Sequence, residues 1–137
     1  MRSTVLAVSW KIQFLGKARF LDLLGWGPGN KDLVPQNVNS VECIDGIVIQ
    51  TSCNNDVMFR ELYVNGSYQD DVLVSLRSLL RPGDVLWDIG ANYGFMSIYI
   101  DRYFSGNVDI FAFEPNPVVL MELERNLELN RCLNVTV

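Results

Sequence analysis

The sequence has 137 residues, enough for one domain with a buried core, and 49% of them are hydrophobic and 20% charged. Its formal net charge of −5 argues against a nucleic-acid partner, because no basic stripe is present to meet a phosphate backbone. The chain contains no histidine and its three cysteines lack zinc-ligand spacing, which excludes a zinc site and a histidine-based triad and predicts no bound metal.

Residues 1–65 are predicted to form a lead-in region of a small helix and an antiparallel strand pair. Loosely helical spacing of apolar residues predicts a helix within Met1–Leu24. The apolar segments Val41–Thr51 and Val57–Val64 are predicted to be the paired strands. We recognise no signal peptide and no membrane-spanning stretch, and free thiols fit a reducing compartment, so we expect a cytoplasmic protein without stable membrane association.

Residues 66–137 are predicted to form the N-terminal half of a parallel α/β sheet. Asp70 or Asp71 can cap its first helix, and Asn116 before Pro117 is typical of a helix start. The elements after the first helix are the strand Val85–Trp87, the helix Tyr93–Phe104, the strand Val108–Glu114, a helix from Pro117 to Asn130 and the strand Leu133–Val137. This alternation is typical of one half of a doubly wound, Rossmann-like fold.

Burial within this unit is predicted from residue type and spacing. The aromatic residues expected in the core are Trp87, Tyr93, Phe95, Phe111 and Phe113. On the last helix, Leu120, Leu123 and Leu127 are expected to face inward, and Glu122, Arg125 and Glu128 to face solvent. The final strand would be an exposed edge of an unfinished sheet, which invites self-association with another chain.

Two acids, Asp88 and Glu114, end neighbouring predicted strands. Ligands of open parallel sheets bind at such strand ends. Gly90 lets the backbone turn sharply and leaves room beside it for a ligand. The Glu114 carboxylate offers two acceptors at a separation that matches the two hydroxyl donors of a ribose diol. Asp88 adds negative charge near the turn Gly90–Gly94, hereafter the glycine turn. That charge suits a ligand with an ammonium and a sulfonium group and repels a pyrophosphate.

A nicotinamide or flavin oxidoreductase is a rival interpretation, which the glycine pattern disfavours. The dinucleotide fingerprint needs a second glycine so that pyrophosphate can approach the backbone. Asn92 stands at that position, and Phe95 stands at the position of the third glycine. A second rival is an inactive or partial fragment that retains only cofactor binding.

Five segments in order resemble FkbM-type S-adenosylmethionine-dependent methyltransferases over residues 66–137. They are Gly66–Tyr68, Leu80–Asp84, Asp88–Gly94, Phe113–Pro117 and Asn126–Asn130. Gln69 departs from the pattern, since the family more often has glutamate there. Five segments at matching spacing are more specific than any one of them alone.

The resemblance implies a cofactor site for S-adenosylmethionine. The residues implied to lie against its methionine part are Asp88, Gly90, Ala91, Asn92 and Gly94. Glu114 is implied to hold the ribose, and Pro115 and Asn116 to lie near the adenine. The implied reaction is O-methylation of a sugar, polyketide or other small-molecule hydroxyl. No catalytic residue is assigned, because later strands and loops of the fold would supply the acceptor pocket and any base.

Overall fold

A computed structural model of the chain describes residues 5–9 as a strand and residues 34–137 in full. The described residues fall into two compact units, one containing residues 34–68 and the other containing residues 5–9 and 69–137. The helix predicted within Met1–Leu24 is wrong for Val5–Ser9, which forms a strand. The remainder of that predicted helix lies outside the described residues.

The unit of residues 34–68 contains a short antiparallel strand pair, a 3-10 helix at Ile44–Gly46 between the two strands, and one α-helix. Strand β2, Ser40–Glu42, pairs with strand β3, Val48–Gln50. Helix α1 spans Val57–Asn65. Asp56 caps this helix, since its carboxylate accepts hydrogen bonds from two backbone N–H groups of the first turn.

Apart from Ser40, the antiparallel pair therefore lies within the first predicted strand, Val41–Thr51. The predicted second strand, Val57–Val64, is wrong. Phe59 and Leu62, which suggested strand alternation, are three positions apart and both fully buried on one face of α1. The Asp56 cap selects the helix, because it satisfies backbone donors that a strand would leave to a neighbouring strand.

The other unit is built on a parallel sheet with helices packed on one face. Its elements are β1 (Val5–Ser9), α2 (Asp70–Leu79), β4 (Val85–Ile89), α3 (Phe95–Tyr103), β5 (Asp109–Phe113), α4 (Pro117–Leu129) and β6 (Val135–Thr136). The four strands lie in the order β1-β4-β5-β6, and all neighbours are parallel. The predicted parallel α/β architecture is confirmed, and it is compatible with a Rossmann-like fold.

The start of α4 agrees with the prediction, and the start of α2 does not. Asn116 caps α4 by accepting the N–H of Val118, and Pro117 occupies the first helical position, as predicted. The predicted cap at Asp70 or Asp71 is wrong, because α2 begins after Gln69 and both aspartates lie in its first turn. There their charges interact favourably with the helix dipole instead.

Alternate residues of β4 and β5 point to opposite faces of the sheet. The buried face carries Leu86, Asp88, Ile110 and Ala112. The other face, hereafter the open face, carries Trp87, Ile89, Phe111 and Phe113, which are 37–47% exposed.

The core position predicted for Trp87, Phe111 and Phe113 is therefore wrong, whereas Tyr93 and Phe95 are buried as predicted. The physical reason is topological. The steps from β4 to β5 and from β5 to β6 advance in the same direction, so right-handed crossovers carry their helices to the same face.

Helix α4 buries a slightly different stripe from the one predicted. Leu123 and Leu127 are buried as expected, but Glu122 is also buried, at 6% exposed, and its predicted solvent position is wrong. Asn126 has no exposed surface, so the inward face of α4 is centred between positions 122 and 127. A purely hydrophobic pattern misses this, because two of the buried residues are polar.

Strand β6 is held in place by a buried acid of α3. Asp101 is 4% exposed, and its two carboxylate oxygens accept the backbone N–H groups of Leu133 and Asn134 at 3.0 and 2.9 Å. These bonds satisfy the carboxylate and fix the chain immediately before β6.

We expect Asp101→Asn to lower the free energy of unfolding by about 1–3 kcal/mol, because the new amide NH₂ group would face a backbone N–H instead of accepting from it. Denaturant unfolding followed by circular dichroism measures the change. Glu124→Gln makes the same charge change at an exposed position of α4 and is the control. Equal stability losses in the two variants would contradict the structural role of Asp101.

Candidate functional site

The glycine turn leaves β4 directly beside the end of β5. The backbone N–H groups of Gly90 and Ala91 both donate to the carbonyl of Phe113, at 2.8 and 3.0 Å. Gly90 has φ 85°, a left-handed conformation that glycine adopts without strain. Asn92 has φ 51°, in the region that asparagine tolerates better than most side chains. The sequence pattern at this strand end thus gives the expected sharp turn.

Glu114 bridges the glycine turn and the start of α4. Its Oε2 accepts the N–H of Asn92 at 3.0 Å, and its Oε1 accepts the N–H of Asn116 at 2.9 Å. The residue is half-buried, and its hydrogen-bond partner Asn116 is exposed, so Glu114 lies at the border between the core and the surface. Each oxygen has a second lone pair, and the bridged carboxylate therefore retains acceptor capacity for a ligand.

Asp88, the other predicted acid, lies behind the turn and not at its surface. It is 1% exposed, and its Oδ2 accepts a hydrogen bond from the Ser97 hydroxyl at 2.6 Å. Because Asp88 belongs to the buried face of β4, its side chain lies on the side of the sheet that α3 covers. Of the two acids, Glu114 is therefore the less buried.

Helix α4 holds the last two residues of the glycine turn. The buried side-chain amide of Asn126 donates to the carbonyl of Tyr93 at 3.0 Å. Gly94 has φ 88°, and a Cβ atom there would come within 2.5 Å of Leu123 Cδ1. The turn is thus packed against the helix that follows the next strand.

The predicted site residues fall into two groups in the structure. Ala91 and Gly94 are buried within the turn, whereas Pro115 and Asn116 are exposed at the start of α4. Glu114 connects the groups through its two hydrogen bonds. The cofactor roles of all these residues stay predictions.

Asn126 is a residue of this site that its hydrophobic pattern did not reveal. Its sequence signals are polarity within the apolar stripe of α4, beside Leu127, and its place at the start of the resembling segment Asn126–Asn130. An asparagine in such a stripe is costly unless it finds a partner, and here the partner is a turn 33 positions away in sequence. Spacing alone gives no indication of that partner.

Within residues 34–137, the side chains form no group suited to a metal ion, and two of the three thiols have raised pKa values. In residues 34–137 no three histidine, cysteine, aspartate or glutamate side chains are grouped to hold a metal ion. Burial, with a smaller effect of the Glu42 charge, raises the pKa of Cys43 to about 12. Burial, with the Asp101 charge second, raises the pKa of Cys132 to about 12. Neither thiol is an activated nucleophile.

No helix in the described part of the chain combines the length and the apolar character needed to cross a membrane.

We predict that a thiol-specific reagent at pH 8 modifies Cys53 much faster than Cys43 or Cys132. Cys53 is exposed, whereas the raised pKa values of the other two keep them protonated until the pH approaches 12. Absorbance of the released chromophore counts the thiols that react rapidly. In Cys53→Ser the fast phase should disappear, and a fast phase that persists in this variant would refute the assignment.

We expect Gly94→Ala to destabilise the protein more than Gly83→Ala. Both glycines have left-handed φ, of 88° and 90°, so alanine costs each about 1–2 kcal/mol. Only at Gly94 does the new methyl group meet Leu123, whereas nothing lies within 4 Å at Gly83. This overpacking adds about 1–3 kcal/mol.

Chemical unfolding of the two variants measures the difference. Gly83→Ala is the matched control, because it carries the backbone strain without the contact. Equal losses of stability would show that the close approach of Leu123 to the turn does not limit residue 94.

Comparison with known proteins agrees with a methyltransferase-like relationship over part of the chain. No protein-family model matches the chain. A stretch of 52 residues, 38% of the chain, is 42% identical to 31-O-demethyl-FK506 methyltransferase FkbM of Streptomyces tacrolimicus. The matched stretch amounts to 20% of the length of that protein. The similarity supports a relationship to an enzyme of the transferase class.

Proposed function

We propose that residues 66–137 form the cofactor-binding half of an S-adenosylmethionine-dependent methyltransferase. The observation that carries this proposal is the position of Glu114 at the carboxyl end of β5. Its carboxylate is fixed beside the glycine turn by hydrogen bonds from Asn92 and Asn116, and the residue is only half-buried. The partial similarity to a methyltransferase supports the same interpretation.

The chemistry of the strand ends fits S-adenosylmethionine better than a dinucleotide. Residues 90–94 and 113–117 contain no lysine or arginine. Glu114 of the second segment, which accepts a hydrogen bond from Asn92 of the first, carries a negative charge. A pyrophosphate would meet no positive side chain from these segments, whereas an ammonium or sulfonium group would be favoured. The side chain of Asn92 also occupies the position at which a dinucleotide site needs a bare backbone.

Glu114 is proposed to hold the ribose through the second lone pair of each carboxylate oxygen. A diol donates two hydrogen bonds in nearly parallel directions, which a carboxylate accepts well. The backbone donors of Asn92 and Asn116 fix the carboxylate before a ligand arrives. Little side-chain entropy is then lost on binding.

S-adenosylmethionine supplies, when bound, an electrophilic methyl group on a sulfonium for in-line displacement by a nucleophile. The contribution of the described residues is to bind and orient: Glu114 at the ribose and the glycine turn beside the methionine part. We propose a small-molecule or sugar hydroxyl as acceptor, in keeping with the relative's name as a methyltransferase for 31-O-demethyl-FK506. No base is assigned to this chain.

A module that binds the cofactor without transferring a methyl group is the second candidate. It is favoured by one observation: of the two acids within residues 88–94 and 113–117, Asp88 is buried against Ser97 and Glu114 alone is not buried. That single group is already assigned to binding. The two candidates share the cofactor site and differ in turnover alone.

We expect isothermal titration calorimetry to show binding of S-adenosylmethionine and no binding of NAD. Glu114→Gln should weaken the binding by about 10- to 100-fold, because a hydrogen bond to a charged acceptor contributes about 1.5–3 kcal/mol. Glu124→Gln, an exposed change on α4, should bind like the unmodified protein.

Circular dichroism at the titration temperature establishes that each protein is folded. Absence of S-adenosylmethionine binding by the folded protein would refute the cofactor site, and binding of NAD would favour the oxidoreductase alternative. If cofactor binding is established, methyl transfer to a panel of hydroxyl compounds distinguishes the enzyme from the binding module.

A further inference from the structure

Asn126 is a buried polar residue in the otherwise largely apolar inward face of α4. It has no exposed surface, and it lies on the buried side of the helix with Leu123 and Leu127. A buried amide carries a desolvation cost that an apolar side chain does not. The structure shows one use of that amide in the site, the hydrogen bond from its Nδ2 to the carbonyl of Tyr93.

That hydrogen bond fixes a whole peptide unit. The carbonyl of Tyr93 and the N–H of Gly94 belong to the same planar group, so orienting one orients the other. The Gly94 N–H donates to the carbonyl of Ala91 at 2.9 Å, which closes the glycine turn. A rotation of this peptide would break both bonds at once, and Asn126 opposes that rotation from outside the turn.

Three successive residues of the turn are thus held by three different groups of the next βα segment. Glu114 accepts from Asn92, and Asn126 donates to Tyr93. Leu123 closes the space around Gly94. Of these three contacts, only the hydrogen bond from Asn126 fixes the peptide between Tyr93 and Gly94.

We infer that Asn126 is a positioning residue: it sets affinity for S-adenosylmethionine by fixing the Tyr93–Gly94 peptide, without touching the cofactor. The inference rests on the proposed cofactor site for the identity of the ligand. Control of the turn by Asn126 does not depend on the ligand, and hydrogen exchange of the Gly94 amide in the ligand-free protein tests it.

The test compares Asn126→Leu with Asn130→Leu. Asn130 is half-buried on the same helix end, and its side chain donates to the carbonyl of Asn126 at 2.7 Å. Both variants lose a side-chain hydrogen bond to a backbone carbonyl, but only the first loses one to the turn. Affinity for S-adenosylmethionine is measured by calorimetry at a temperature at which both variants are folded, and hydrogen exchange of the Gly94 amide is measured by NMR.

Asn126→Leu is expected to weaken binding by about tenfold or more and to speed exchange of the Gly94 amide, whereas Asn130→Leu should stay within about twofold of the unmodified protein. A merely structural role would lower the melting temperature of both variants and leave the affinity of the folded proteins unchanged. If folded Asn126→Leu has the same affinity for S-adenosylmethionine and the same Gly94 amide exchange as the unmodified protein, the inference is overturned.

The outcomes separate this inference from the proposed function. If the unmodified protein does not bind S-adenosylmethionine, the proposed function fails, and exchange of the Gly94 amide alone decides whether Asn126 controls the turn. If Asn126→Leu does not fold, Asn126→Ser carries the same two measurements, because its hydroxyl is too short to reach the carbonyl of Tyr93. Failure of both variants to fold would overturn the inference in favour of a structural role.

Discussion

The Glu114 carboxylate, shared between two backbone N–H groups, is the interaction on which the strand-end region depends. Parallel pairing sets Ile89 opposite Phe113, so the residues that follow each strand emerge side by side. The acid after β5 can therefore reach the N–H of Asn92 in the turn after β4, as well as the N–H of Asn116 on its own side. One charged group thus ties together two loops that are distant in sequence, and charge-assisted hydrogen bonds of this kind are stronger than neutral ones.

The turn after β4 takes its shape from β5, α4 and the loop between them. The turn after β4 receives hydrogen bonds or packing from Phe113, Glu114, Leu123 and Asn126, all of which belong to β5, α4 or the loop between them. Affinity for the proposed cofactor should consequently follow the packing of α4 and not only the identity of the residues proposed to line its site. A preorganised turn also lowers the entropy that a ligand must overcome on binding.

The sheet of this unit is asymmetric between its faces. Helices cover the face that carries Leu86 and Ile110, whereas the open face, with Trp87 and Phe111 among its residues, is partly exposed. Parallel sheets are normally covered on both faces, and their strands are apolar on both for that reason. The strands β4 and β5 carry apolar residues on both faces, although the described helices cover only one face.

The sequence by itself determined the order of elements from α2 to β6, the sharp turn at Gly90 and the placement of Glu114 at a strand end. Each of these follows from local signals: short apolar runs, a left-handed glycine and the Asn116 cap of α4. Only the tertiary structure decided that Asp88 lies inside the core and that Asn126 reaches the turn. Burial of a strand residue depends on which face the crossovers cover, and the Asn126 contact joins residues 33 positions apart. Neither is fixed until the chain has packed, because neighbouring residues do not encode which distant surface they will meet.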